Sequence, residues 1–425
     1  MSTVRRSRRG RVLSSLALAT ALCLGAAACS SDSKTSTSGS SAASSSGSAA
    51  AVTFDGKIKI GFVADQTGTF SQFGVASYQA TTLALKTIND AGGMSVGGKH
   101  YELELTTCET RGEEAGAQSC AVQIVEDEGA KFVFGGISKL SPVVMRVTEP
   151  NNAIYFTAAS SASAYLGETK LMVTTLGTTT WRAESTLLAI KEFFPNAKNI
   201  GMVAEQDATL DQLQPVFEKV ARNLGMTLVV QAVPTGTTDY TSALTNLKAQ
   251  NPDIIIGIDN NPEQNAAIIR ANNELAAAPA LFGYSGSCPQ AVSAGSTVPF
   301  VGQTFVGADL DYPNTDVSKE FAARFKEWSK DAQPKLLYSS LWNYDFYFVL
   351  AKAMEKAGSI DDTAKIYDAL FEVSYEGVVG HIQFNRATKQ ALYGYTMCYT
   401  DGKTIDPSQF KYIDPTKYDL AALEK

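Results

Sequence analysis

Hydrophobic and polar positions alternate in short runs along most of the chain, and the clearest run opens the stretch 57–93. Ile58, Ile60 and Phe62 are separated by single polar or small residues, which predicts a β-strand. A polar loop with glycines follows, and then a helical pattern that stops at Gly93. This order places free backbone N–H groups near a helix start, where an anionic group of a ligand could bind. An ordinary strand–helix turn without a ligand is the alternative.

The same alternation of strand and helix patterns recurs along the chain in two series, and the second series begins near Trp181. Strands that alternate with helices predict a parallel sheet covered by helices on both faces. Two such series predict an α/β protein with two lobes and a cleft between them. The predicted strands are 58–62, 101–106, 131–134, 153–156, 199–204, 227–233, 253–258, 280–283 and 301–308, and a hairpin is predicted at 377–399. Helices are predicted at 113–127, 138–149 (after a loop), 181–194, 210–224, 240–249, 262–272, 317–331, 338–356 and 363–371.

Polar residues follow three predicted strands of the first series, at Asp65–Thr67, Gly136–Ser138 and Thr157–Ser161. Ligands of open parallel sheets bind beyond the carboxyl ends of the strands. Three hydroxyl-bearing strand ends that converge on one edge are more informative than any one of them. The sequence therefore predicts a ligand site at this edge of the first lobe.

Length and charge agree with a two-domain binding module. A chain of 425 residues can form two hydrophobic cores. Its net charge is −7 and 19% of its residues are charged, so it lacks the basic surface of a nucleic-acid-binding protein.

The N-terminal residues have the pattern of an export signal. A cluster of arginines precedes the apolar stretch 12–28, which is too short and lacks the flanks of a membrane-spanning helix. Three alanines stand before Cys29, which resembles the bacterial lipobox, and the Ser- and Ala-rich residues 29–55 suit a flexible tether. We therefore expect a signal peptide at 1–28, lipidation of Cys29 and an extracytoplasmic protein held on the outer face of the membrane. A plain signal-peptidase site with an incidental cysteine is the alternative.

Four cysteines remain in the expected mature domain, namely Cys108, Cys120, Cys288 and Cys398. An even number in an exported protein predicts two disulfides, for which three connectivities exist. Cys108 and Cys120 are close in sequence, so we pair them and leave Cys288 with Cys398. Four buried free thiols are the alternative. A zinc site is not expected, because the chain has no Cys-X-X-Cys pair and only two distant histidines.

Several segments together resemble one family. They read IKIGFVADQTGTFSQFG, NDAGGMSVGGKHYELEL, EDEGAKFVFGG, AIYFTAASSAS, NPDIIIGI and GVVGHIQFNRATKQ, and they cover nearly all of residues 57–400 in the family's order. The chain is similar to the Leu/Ile/Val-binding-protein-like family, the type I extracytoplasmic solute receptors of ABC importers. The resemblance implies two mostly parallel, doubly wound lobes with a hinged cleft. The expected boundaries are 56–178 with 309–374 for the first lobe, 179–308 with 375–400 for the second, and 401–425 for a C-terminal tail.

The resemblance also implies a ligand site in the first lobe, where strand-end loops hold a carboxylate and an ammonium. The implied residues are Ser138, the carbonyl of Ala159, the hydroxyl and N–H of Ser161 with its neighbour Ser160, and Phe73 as an aromatic wall. Hydroxyls and N–H groups can satisfy a buried carboxylate, which supports the assignment on chemistry alone. Capping of helix starts is the alternative role for the three serines.

The second lobe departs from the family pattern. The strand ending at Gly283 leads into Tyr284-Ser285-Gly286-Ser287, which lacks the acidic residue that answers the ammonium in amino-acid binders. Asp65, Asp259 or Glu205 could replace it, and Asn260 stands beside Asp259, but each acidic residue could equally be a solvated loop charge. An amide, a small carboxylate or an aromatic acid therefore fits about as well as an amino acid.

These observations predict a binding protein rather than an enzyme. The expected protein is a monomer without cofactor or metal that captures a small ligand and delivers it to the permease subunits of an importer. A receptor that senses the ligand and signals without transport is the alternative.

Overall fold

The computed structural model describes residues 53–67, 71–136, 140–159, 166–206, 208–258, 262–304, 315–328 and 341–418. The strands within these ranges are β1 Gly56–Ala64, β2 Met94–Val96, β3 Lys99–Glu109, β4 Phe132–Gly135, β5 Ile154–Thr157, β6 Met172–Thr174, β7 Asn199–Glu205, β8 Thr227–Val233, β9 Ile254–Ile258, β10 Leu281–Gly283, β11 Phe300–Thr304, β12 Ser374–Gly377, β13 Gly380–Asn385, β14 Gln390–Leu392, β15 Tyr395–Thr400 and β16 Lys411–Ile413. The helices are α1 Ser71–Asp90, α2 Glu114–Val122, α3 Ser141–Thr148, α4 Thr179–Phe193, α5 Ala208–Asn223, α6 Thr241–Lys248, α7 Pro262–Leu275, α8 Cys288–Ser293, α9 Asp316–Trp328, α10 Leu341–Ala357 and α11 Thr363–Leu370.

The described strands form two sheets, one in each lobe. The first runs in the order β12-β13-β14-β6-β5-β4-β1-β3-β2, and the second in the order β16-β15-β11-β10-β9-β7-β8. The central strands of both are parallel, as β1 is to β3 and β4, and β9 is to β7 and β10. Because both faces of such strands are covered, the last five residues of β1 are all buried. The predicted two-lobed α/β architecture is confirmed.

Helix α10 completes the core of the first lobe although it lies far from the other elements in sequence. The Phe134 ring stacks on Phe156 at 4.3 Å between ring centroids and contacts the Tyr347 ring of α10 at 4.2 Å. The Tyr347 hydroxyl hydrogen-bonds Thr81 of α1 at 2.8 Å. Tyr344, also on α10, packs edge-on against Phe321, so this tyrosine belongs to the core rather than to a cleft.

Both predicted disulfides are present. Cys108 of β3 pairs with Cys120 of α2, and Cys288 of α8 pairs with Cys398 of β15. Each bond stays within one lobe and joins a helix to the sheet. Disulfides persist in oxidising compartments, which agrees with an exported protein.

The predicted lobe boundaries near the C-terminus differ from the sheet pairing. Residues 375–400 were expected in the second lobe, yet β12–β14 belong to the first sheet, where Gln390 pairs with Thr174. Only β15 enters the second sheet. The expected tail 401–425 also contributes structure, since Ile413 of β16 pairs with Tyr395. Local hydrophobic alternation predicts a hairpin correctly but does not determine which sheet it joins.

Candidate functional site

The carboxyl edges of the two sheets meet where the chain passes between the lobes. Strands β6 and β14 are parallel and end at one edge of the first sheet, followed by the crossing segments 175–178 and 393–394. Strand β15 begins beside the carboxyl end of β11, because Thr396 pairs with Thr304. The chain leaves β11 at that same edge and returns to the first lobe in α9. Ligand sites of open α/β sheets lie at such carboxyl edges.

The loop after β1 is held by acidic side chains. Asp65 is buried and accepts a short hydrogen bond from the Thr110 hydroxyl. Glu109 accepts the N–H groups of Gln66 at 2.9 Å and of Thr67 at 3.2 Å. A Cβ on Gly74 would lie 1.9 Å from the Asp65 carbonyl oxygen, so α1 begins in direct contact with the strand end. Only glycine permits this approach.

A buried hydroxyl network supports the loops after β4 and β5. The Ser141 hydroxyl donates to the Gly136 carbonyl at 3.0 Å and lies 2.5 Å from the Thr157 hydroxyl. The Tyr155 hydroxyl donates to the Gly135 carbonyl at 2.9 Å. Gly136 has φ +66°, a left-handed conformation that favours glycine, directly after the end of β4. The network therefore fixes the two strand ends relative to each other.

Ala159, one of the predicted site residues, is fully buried at the end of this network. Its N–H donates to the Thr157 hydroxyl at 3.2 Å, and its carbonyl accepts the Thr174 hydroxyl at 3.2 Å. A carbonyl oxygen has two lone pairs, so a ligand donor can still be accepted there. The sequence predicted Ala159 but missed Thr174, whose only signal is its place at the end of the short strand β6.

A recess opens at this edge of the first lobe. It is lined by Phe62, Asp65, Gly74, Ser77, Gly136, Ala158 and Asn343, among others. The Asn343 side chain donates to the Thr81 hydroxyl at 2.7 Å and to the Ser77 carbonyl at 3.4 Å. A larger cavity at the amino-terminal ends of β7 and β8 is lined by Asn199, Thr227 and Leu247, at the opposite edge of the second sheet. The recess at the carboxyl edge is the candidate site, because the described strand-end residues Asp65 and Gly136 line it.

The second lobe carries an arginine at its carboxyl edge. Arg182 of α4 is only 9% exposed, and its guanidinium carbon lies 3.9 Å from the centroid of the Tyr284 ring, directly after β10. Its Nη2 also donates to the Tyr284 carbonyl at 3.4 Å. Burial raises the pKa of the Tyr284 phenol, and the neighbouring guanidinium opposes that rise. Glu205 accepts the Gly236 N–H at 2.6 Å and the Gln264 amide at 2.8 Å.

Most of the other predicted site residues fall outside the described residues. These are Ser138, Ser160, Ser161, Asp259, Asn260 and Cys29, together with the side chain of Phe73, whose backbone belongs to α1. Their neighbours in the chain are described. Gly136 precedes Ser138 by two positions, and Ala159 directly precedes Ser160.

Metal ligands and membrane spans were also sought in the described ranges. The side chains placed there include no cluster of three or more His, Cys, Asp or Glu that could hold a metal ion. No described helix is both long enough and apolar enough to cross a membrane.

Two doubly wound lobes, joined by crossing segments at their carboxyl edges, define the class of two-lobed binding proteins. The chain belongs to the periplasmic binding protein family, since the family profile described as "Periplasmic binding protein" matches residues 57–403. This confirms the predicted family and fold. Membership in a family of binding proteins supports the expectation that the chain binds a ligand rather than converts one.

Solved structures share this fold at low sequence identity. A leucine-binding protein from Thermotoga maritima is 20% identical with a TM-score of 0.66, over 85% of this chain and 100% of that chain. A branched-chain amino acid transporter substrate-binding protein from Streptococcus pneumoniae, in complex with isoleucine, is 18% identical with a TM-score of 0.67, over 84% and 100%. An ABC transporter solute-binding protein from Rhodopseudomonas palustris, in complex with p-hydroxybenzoic acid, is 15% identical with a TM-score of 0.68, over 84% and 98%.

Proposed function

We propose that this chain is the solute-binding lipoprotein of an ABC importer, and that it captures a small carboxylate between its lobes. The observation that carries the proposal is the hydroxyl-supported pair of strand ends at Gly136 and Ala159, at the edge where the lobes meet. Backbone N–H groups and hydroxyls at such ends bind a carboxylate by charge-assisted hydrogen bonds. The solved structures with isoleucine and p-hydroxybenzoic acid indicate that this fold accepts both aliphatic amino acids and aromatic acids.

The proposed site combines both lobes. Ser138, Ala159, Ser160 and Ser161 bind the carboxylate, and Phe73 covers the apolar body of the ligand. Asp65, Asp259 and Asn260 are the proposed polar partners for the rest of the ligand. Closure of the second lobe over the ligand produces the state that the permease subunits recognise. The ligand stabilises this state because it binds the closed form more tightly than the open form.

A ligand panel tests the proposal directly. The purified mature domain is screened by thermal shift against amino acids, their amides, and aliphatic and aromatic carboxylates, and hits are measured by calorimetry. We expect at least one carboxylate to bind with micromolar or lower Kd, as a ligand at 100 times its Kd stabilises the fold by about 2.7 kcal/mol. If no compound in the panel binds, the proposed ligand class is wrong.

Ser161→Ala should weaken binding of that carboxylate by roughly 10- to 100-fold, since a hydrogen bond to a charged group is worth about 1.5–3 kcal/mol. Its melting temperature without ligand should stay near that of the wild type. Ser119→Ala is the matched control, because the Ser119 hydroxyl donates only to the Ala115 carbonyl on the surface of α2. Equal affinity of the two variants would remove Ser161 from the site.

The lipid anchor is tested separately, through the proposed signal peptide at 1–28 and the tether at 29–55. Cys29→Ser should release the protein from the membrane fraction of expressing bacterial cells into the soluble extracytoplasmic fraction. Ligand affinity should not change, because the tether lies outside the family match that begins at residue 57. Retention of the variant on the membrane would contradict lipidation at this cysteine.

A further inference from the structure

The C-terminal segment 404–418 lies beyond the region that the family profile matches, and it packs against the place where the lobes join. Its strand β16 adds to the edge of the second sheet, with Ile413 buried. Lys411 donates to the Glu192 carbonyl at 2.6 Å and lies 4.8 Å from the centroid of the Phe193 ring. The segment is therefore fixed to α4 of the second lobe.

Tyr412 reaches from this segment to the first lobe. Its phenol oxygen accepts the N–H of Gly394, in the crossing segment 393–394, at 2.8 Å. The same phenol oxygen also lies against Gly380, at the start of β13 in the first sheet. Burial raises the pKa of the phenol to about 12, so it is protonated at neutral pH. One side chain of the second lobe thus bonds to the hinge and contacts the first lobe.

Glycines permit this close approach. A Cβ on Gly380 would lie 2.7 Å from the Tyr412 hydroxyl, and a Cβ on Gly394 would lie 2.6 Å from the ring and from the Ile413 carbonyl oxygen. Gly380 also has φ +94°, which other residues rarely adopt. The glycines at positions 380 and 394 therefore leave the space that the Tyr412 side chain occupies.

The turn Gly377–Gly380 that receives Tyr412 is organised by a buried carboxylate. Asp345 of α10 is fully buried, and its Oδ2 accepts the Val379 N–H at 2.8 Å. A Cβ on Gly377 would lie 2.5 Å from that carboxyl group. The turn is thereby held against the first lobe, and Gly380 at its end is held in position against the Tyr412 phenol.

The contact joins the two facing edges. Strand β13 is antiparallel to β14, so the turn before it lies at the carboxyl edge of the first sheet. Tyr412 lies at the carboxyl edge of the second sheet, because the next residue pairs with Tyr395 at the start of β15. These edges separate when a two-lobed protein opens and approach when it closes.

We propose that Tyr412 is a positioning residue that ties the two lobes together beside the hinge and favours the closed arrangement. Opening the lobes moves the turn Gly377–Gly380 away from the phenol, so this contact is kept only while the edges are close. Tyr412 acts on affinity through the lobe angle and does not touch the ligand. The consequence for affinity rests on the proposed function, whereas the effect on the lobe angle does not.

Tyr412→Phe tests this role. Small-angle X-ray scattering of the ligand-free mature domain should show a larger radius of gyration than that of the wild type, because more molecules are open. The Kd for the carboxylate found in the ligand panel should rise roughly three- to tenfold, as expected for a lost hydrogen bond of ordinary strength. The scattering measurement needs no ligand. The role of Tyr412 in the lobe angle can therefore be refuted independently of the proposed carboxylate binding.

Tyr418→Phe is the matched control. The Tyr418 hydroxyl belongs to the same C-terminal segment but donates to Glu192 of the second lobe at 3.2 Å. Its removal should leave both the radius of gyration and the Kd at the wild-type values. Tighter binding by the Tyr412 variant, or values equal to those of the control, would overturn the proposal.

Discussion

Replacing Cys288 and Cys398 by alanine should lower the free energy of unfolding by about 5 kcal/mol, as expected for closing a loop of this length. The two cysteines are 110 residues apart and fully buried, and their bond ties α8 to β15. Without the bond, the unfolded chain gains the freedom of that long loop. Urea unfolding followed by fluorescence and circular dichroism measures the change, and coincident curves check that the lobes unfold together.

The double variant of Cys108 and Cys120 is the matched comparison. These cysteines are 12 residues apart, so the same loop argument gives a loss of about 3 kcal/mol. Removing the disulfide that closes the longer loop should therefore lower the free energy of unfolding by about 2 kcal/mol more than removing the other disulfide. Equal losses, or the reverse order, would show that chain entropy does not determine the contribution of these bonds.

Asp345→Asn should remove a large part of the pH dependence of stability between pH 5 and pH 8. Burial raises the pKa of the Asp345 carboxyl from 3.8 to about 7. The unfolded chain therefore releases this proton at lower pH than the folded chain does. Stability is greatest at low pH and falls as the pH rises from 3.8 towards 7, by about 3 kcal/mol between pH 5 and pH 8 at 1.36 kcal/mol per pKa unit.

Urea unfolding at pH 5 and pH 8 measures this change, with the wild type and the variant in the same buffers. Asparagine keeps an acceptor for the Val379 N–H, so the variant should fold and should be more stable than the wild type at pH 8. Asp401→Asn is the control. Hydrogen bonds from the Thr404 and Lys403 N–H groups lower the pKa of Asp401, so it is ionised throughout this range. An unchanged pH slope in the Asp345 variant would contradict the assignment.

The sequence was sufficient for elements that show their own hydrophobic period. Strands such as β1 and β9 have uninterrupted buried runs, and the glycine stop after α1 is visible in the pattern. Strands β2, β6 and β16 have three residues each and were not predicted as separate strands, because so few residues show no period. The equally short β10 was predicted, because it follows directly on another strand–helix unit of the second series. The assignment of β12–β14 to the wrong lobe has a different origin, because Gln390 pairs with Thr174, a residue about half the chain length away.

The candidate site was predictable where it follows from strand ends, and not where it depends on distant partners. Thr157 was predicted because polar residues follow an apolar strand, and Ala159 was predicted from the resemblance of its segment to the family. Thr174 and Asn343 were not, since each reaches the first-lobe edge only through tertiary packing. Tyr412 carries no sequence signal either, because its contacts are with the backbone of Gly394 and Gly380.

The contacts between distant parts of the chain also determine the order in which the lobes can fold. Strand β6 keeps an open edge until Gln390 is available to pair with Thr174. The core around Phe134 is likewise incomplete until Tyr347 of α10 packs against it. Unpaired strand edges and late long-range contacts expose a chain to aggregation and slow its folding. Because the first sheet needs β14 and the second sheet needs β15 and β16, neither lobe can complete its fold before the C-terminal part of the chain is available.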